Sequence, residues 1–173
     1  NNMSWLYIQA YDFNKGIENA RKGILLNKKV PDSTARYRFG AFLYATLALG
    51  FIENNQADSA MIYNNMSYRL LPKFSRGRLN LYCWLYSSYG NIYALKKDFI
   101  NSEISFKKAL EYKDSISAAD ATVFTSGKYC NLLNNQKRYK EAITVGKVGM
   151  EVARNSGLLR YQIDLADALR FSY

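Results

Sequence analysis

Few residues in this chain of 173 residues have types and spacings suited to chemistry. Asp164 and Asp167 stand three apart, one helical turn, and such a carboxylate pair can share a cation. A solvated face, or salt bridges to Arg160 and Arg170, accounts for them more simply. Cys83 and Cys130 are the only thiols, and they read as small apolar core residues rather than as metal ligands or a bridge. The chain has no His. That removes the commonest general base, the usual partner of a nucleophile and the commonest zinc ligand together. It also lacks a glycine-rich phosphate loop, a metal-ligand cluster and a Ser/His/Asp set. The expectation is a chain that is not an enzyme and uses no cofactor or metal. What remains is binding chemistry. Asn91 and Asn131 lie 40 residues apart, and each amide offers a donor and an acceptor, as a peptide unit does.

Charge adds a second theme. Lys and Arg number 24 and Asp and Glu 14, a formal net charge of +10. No acidic residue occurs from Ser59 to Lys97, whereas Arg69, Lys73, Arg76, Arg78, Lys96 and Lys97 do. Most of these fall near helix ends, where the dipole favours cations. They are spread too widely to form a compact basic block, which argues against nucleic acid as a partner. A basic adaptor for nucleic acid or an anionic membrane surface is the alternative function. Without an apolar run of about 18 residues, nothing in the chain spans a membrane. The first residues lack the basic-then-apolar layout of a signal peptide. The expectation is a soluble domain whose compartment is unknown.

The elements that must carry these residues are helices. Tyr86, Tyr89, Gly90 and Tyr93 recur at i, i+3, i+4 and i+7. After a polar break at Lys96-Lys97-Asp98, Phe99, Ser102, Phe106, Ala109 and Leu110 form a second stripe. Two amphipathic helices joined by a short turn make a hairpin. The same layout returns with Tyr129, Cys130 and Leu133, then Tyr139, Ala142, Gly146, Gly149 and Met150. It also precedes, with Tyr44, Leu47, Ala48 and Phe51, then Ala57, Ala60, Asn64 and Ser67, until Pro72 stops the helix. Trp5 and Tyr7, then Phe13, Gly16, Ala20 and Gly23, mark another copy. The residues that open the second helices are Phe13, Ala57, Phe99 and Tyr139, at intervals of 44, 42 and 40. A repeat this regular predicts a stacked array: hairpins at 1–30, 33–72, 76–112 and 115–156, and a partial fifth at 158–173 bearing Leu165, Ala166 and Leu169. Both ends cut through a hairpin, so a piece of a larger protein is expected. Asp32 and Asp114-Ser115 supply helix-start oxygens, and Gly157 a helix stop.

This pattern resembles the tetratricopeptide repeat family. The copy from Tyr86 to Leu110 carries the large residue, the small residue at the helix crossing (Gly90), the aromatic three further on (Tyr93) and the Phe99/Ser102/Phe106/Ala109 stripe. The family period is about 34 residues, so these repeats are long, like those of bacterial regulatory proteins with helical repeat sensors. The resemblance implies an all-α, right-handed α-solenoid whose first helices line a concave face. It also implies a scaffold that binds a peptide or protein, as the sensor or docking part of a larger regulator, with possible self-association through its end repeats. Carried onto this chain, the groove residues are Phe42, Leu49, Trp84, Asn91, Asn131, Asn135 and Arg170, with Trp5, Gln9, Leu95 and Asp167 beside them. Asn91 and Asn131 would pair with a ligand backbone, and Trp84 would anchor an apolar side chain. The lysines that clamp a ligand carboxylate in some members are missing here, and Arg160 is the substitute.

Overall fold

Three aspartates begin helices by accepting a backbone N–H that the first turn leaves unpaired. Asp12 accepts from Lys15 N at 3.2 Å, Asp32 from Ala35 N at 2.7 Å and Asp98 from Asn101 N at 3.2 Å. The closing signal repeats as well. Asn55, Lys97 and Lys137 adopt left-handed φ values of 58°, 60° and 61°. The next residue's amide then reaches back to a carbonyl five positions earlier. Gln56 bonds Phe51 at 2.8 Å, Asp98 bonds Tyr93 at 2.9 Å and Arg138 bonds Leu133 at 2.9 Å. Each is the same left-handed helix stop, so one turn design joins the two helices within each of three pairs.

A computed structural model of the chain describes residues 2–10, 12–113 and 118–170, leaving aside the side chains of residues 2, 5 and 9. Among the described residues the protein is all-α, with no strand. The helices are α1 (Asn2–Gln9), α2 (Phe13–Asn27), α3 (Ser33–Glu53), α4 (Ala57–Leu70), α5 (Arg78–Leu95), α6 (Phe99–Leu110), α7 (Ala119–Asn135), α8 (Tyr139–Asn155) and α9 (Leu159–Arg170). Phe13, Ala57, Phe99 and Tyr139 are the first residues of α2, α4, α6 and α8. Pro72 lies in a 3-10 turn, Leu71–Lys73, directly after α4. Gly157, at φ 67°, follows the end of α8. The expected helix start at Asp114-Ser115 lies outside the described residues.

Helices pack in adjacent pairs, α1 with α2, α3 with α4, α5 with α6 and α7 with α8. Each second helix also meets the first helix of the next pair. Odd-numbered helices touch in succession, from α1 through α3, α5 and α7 to α9, and no two even-numbered helices make a comparable contact. One layer is therefore continuous and the other is spaced. α5, in the middle of the continuous layer, buries Leu81, Cys83, Leu85, Ser87, Ser88, Gly90 and Ile92, residues on nearly every side of it.

The pairs cross at equivalent points. Ser4 with Gly16, Ala48 with Ala60, Gly90 with Ser102 and Cys130 with Ala142 are each 12 positions apart, and all eight residues are buried. At three of the crossings a side chain bonds the opposing backbone. Ser4 Oγ donates to Gly16 O at 2.7 Å, Ser102 Oγ to Gly90 O at 2.7 Å and Cys130 Sγ to Ala142 O at 3.4 Å. The second crossing is Ala on Ala. Small residues let the backbones come close enough for a hydroxyl or thiol on one helix to reach a carbonyl on the other. Cys83 and Cys130 are both buried free thiols, and burial pushes the Cys83 thiol up to about 11. In α9 the buried stripe is Leu165, Ala168 and Leu169, with Ala166 exposed. Ala168, three residues after Leu165, takes the place expected for Ala166, because helix period rather than residue size sets the face.

Candidate functional site

The continuous layer carries a cavity of about 320 Å³. One wall is Ile8 of α1, Phe13 of α2, and Leu49 and Glu53 of α3. The opposite wall is α7, through Val123, Phe124, Gly127, Lys128 and Asn131, and α9, through Arg160, Tyr161, Asp164, Leu165, Asp167 and Ala168. No α5 residue lines it. α9 is held to its neighbours by small residues and amides. A Cβ on Gly149 would stand 2.5 Å from Ser126 Cβ and 2.8 Å from the Leu165 side chain, and one on Gly146 would overlap Leu169. Asn134 donates to Ala168 O at 2.8 Å and Gln162 to Ala153 O at 3.3 Å. The glycines let the Leu165 and Leu169 side chains sink between α7 and α8, which fixes which side of α9 meets the cavity.

The two walls are tied by one ion pair. Lys128 Nζ lies 2.9 Å from Glu53 Oε1, across 75 positions of sequence. Both side chains are largely buried, and the Lys128 ammonium also sits 5.3 Å from the centre of the Phe124 ring. Its charge is matched within the cavity by Glu53. Asp164 and Asp167 are exposed. The cleft combines apolar walls, the Asn131 amide, the exposed carboxylates of Asp164 and Asp167 and the exposed Arg160, an arrangement suited to holding a chain that presents both apolar and polar groups.

The structure brings together Leu49 and Asn131 of the expected groove residues, Leu49 buried in one wall and Asn131 exposed in the other. Asn91 does not line the cavity; its amide donates to Ser87 O of its own helix at 3.0 Å. Trp84 is half-buried and packs on Phe124, ring centres 5.0 Å apart, so it stands behind the wall rather than in it. Phe42 is half-buried among the core residues around Leu71, Phe74 and Leu81. Asn135, Leu95 and Arg170 are exposed and lie outside the cavity lining, whereas Asp167 and Arg160 belong to it. The side chains of Trp5 and Gln9 lie outside the described residues.

Glu53, Lys128, Phe124, Tyr161, Ile8 and Phe13 are cavity residues that the sequence reading did not place there. Phe124 had a visible signal: it stands 40 positions after Trp84 and 82 after Phe42, the same place in three successive hairpins. Glu53 and Lys128 had none, since their partnership joins different repeats at different places in each. Comparison with family models, curated proteins and solved structures returned no match.

Proposed function

We propose that this chain is a binding scaffold, built as a right-handed superhelix of long tetratricopeptide-like hairpins, that holds an extended peptide or protein segment in the cleft between α3 and α7/α9. Support for the array comes from the repeated turn, the repeated crossing and the succession of odd-numbered helices. The observation that carries the binding reading is the cleft itself. An apolar wall at Ile8, Phe13 and Leu49 faces Phe124 and the Asn131 amide across a cavity of side-chain size. Asn131 pairs with the backbone of the bound segment, the apolar wall takes one of its side chains, and Asp164 and Asp167 favour a basic residue beside it. The sensor or docking role within a larger bacterial regulator follows from the resemblance of the long repeats.

The test is a peptide selected from a random displayed library against the parent chain, with affinity then measured by calorimetry. Asn131→Ala weakens that peptide by about 1–3 kcal/mol, the range for a lost amide pairing. Asn91→Ala changes it by less than about 0.5 kcal/mol, since that amide is already committed to its own helix. Equal losses in the two variants, or none in Asn131→Ala, would remove the cleft as the seat.

A further inference from the structure

The spaced layer leaves one face of α5 open between α4 and α6, and that face is tyrosine. Tyr82, Tyr86, Tyr89 and Tyr93 follow one another at helical spacing along α5. Their rings form a continuous row with centres 6.3 Å, 6.3 Å and 6.5 Å apart. Tyr112 extends the row by stacking on Tyr82 at 5.9 Å, their planes within 6°. Tyr68 of α4 meets Tyr82, Tyr86 and Tyr89 edge-on at 6.0 to 6.3 Å and is itself 37% exposed. From Tyr82 to Tyr93 the row runs about 16 Å at helical rise, room for roughly four nucleotides.

Three of the six hydroxyls of this band are already in use. Tyr89 donates to Asn65 Oδ1 at 2.6 Å, and the Tyr68 and Tyr86 hydroxyls meet at 3.4 Å. Beyond these bonds, the band offers a ligand ring surface and positive charge. The charge is local. Residues 59–113 hold nine Lys and Arg against three Asp and Glu, six of the ten net charges of the whole chain. Lys108 Nζ lies 5.7 Å from the centre of the Tyr86 ring, and the exposed Arg69 directly follows Tyr68 on α4.

We infer that the Tyr68/Tyr82/Tyr86/Tyr89/Tyr93/Tyr112 band and its flanking Lys108 and Arg69 form a binding surface for single-stranded nucleic acid. Bases have a π-face whatever their identity and stack on aromatic side chains, while Lys and Arg take the phosphates. A duplex keeps its bases stacked on one another and has no face to offer the rings. The scattered cations alone indicate no nucleic-acid site; their meeting with a row of aromatic rings does. This surface is separate from the cleft, so Asn131→Ala leaves it unchanged.

The test is fluorescence anisotropy of a labelled oligouridylate or oligothymidylate of about 12 nucleotides with the whole chain, beginning near 50 mM salt and titrating upward. The result expected is binding that weakens steeply with salt, about tenfold weaker in Tyr68→Ala and in Lys108→Ala, and near parent in Tyr68→Phe, which keeps the ring. Tyr68 and Lys108 are both exposed, and unchanged thermal melting of each variant establishes that the fold is kept. Any of four results overturns the inference. These are no binding near 50 mM salt, equal binding of a duplex of the same length, equal binding of polyglutamate or phosphatidylserine vesicles, and full affinity in Tyr68→Ala.

Discussion

At the residue scale, the pairing of the helices depends on places where a side chain would not fit. A Cβ on Gly90 would lie 2.6 Å from two atoms of the Phe106 ring. That ring is 1% exposed and stacked on Tyr129 with centres 5.5 Å apart, so it has nowhere to swing. Alanine gains about 1 kcal/mol of helix propensity over glycine, but overpacking against a fixed ring costs about 1–3 kcal/mol and more than offsets it. Gly90→Ala is therefore expected to lower stability by about 1–2 kcal/mol, read as an earlier urea midpoint at unchanged slope. A stabilised variant would show that the crossing is looser than its geometry. The turns behave oppositely. Lys137 is held at φ 61°, a region that disfavours residues with a Cβ. Lys137→Gly relieves that strain and is expected to gain about 0.5–1 kcal/mol in the same measurement, even though glycine loses more backbone entropy on folding.

At the element scale, α6 is tied to the α7–α8 turn by a charge network. Arg138 bonds Glu103 at 2.6 and 3.3 Å and Glu141 at 2.7 and 2.6 Å, and Lys107 adds a contact to Glu103 at 2.7 Å. Arg138 first, then Lys107, hold the Glu103 carboxyl down at about 2, against an ordinary 4.5, while Tyr129 faces it from α7. The folded value lies below the unfolded one, so the stabilisation is present above about pH 4.5 and is lost as pH falls toward about 2. Melting temperature followed from pH 6 to pH 2 should therefore fall more steeply in the parent than in Glu103→Gln below about pH 4.5. Parallel curves would mean that solvent screens the network and that it contributes nothing.

At the scale of the whole molecule, the Glu53–Lys128 ion pair joins the second hairpin to the fourth, 75 positions on. Repeat arrays draw their stability from neighbouring units, so a single link between distant units affects shape more than folding. Lys128→Met keeps the apolar stem beside Phe124 and removes the charge. Its unfolding free energy is expected to stay within about 1 kcal/mol of the parent, while the radius of gyration from X-ray scattering rises as the cleft widens. An unchanged radius would show that packing through α5, and not the ion pair, sets the spacing of the walls. A shorter path for the coupling exists through Trp84, which packs on Phe124 from α5.

The helices, their pairing and their turns were legible in the sequence because each rests on near neighbours. Ala57, Phe99 and Tyr139 open helices two positions after the left-handed turn residues Asn55, Lys97 and Lys137, and the crossings recur because 12 positions separate each pair. The cleft was legible only at Leu49 and Asn131. Position within a repeat does not set environment. Leu49, Asn91 and Asn131 occupy the same place in three hairpins, yet Asn91 turns to its own helix and stands away from the cavity. What decided this was the packing of unlike helix pairs, which set Glu53 opposite Lys128 and placed α9 across the cavity from α3. The tyrosine band shows the same division. Its spacing along α5 was in the sequence, and its openness depended on α4 and α6 standing apart.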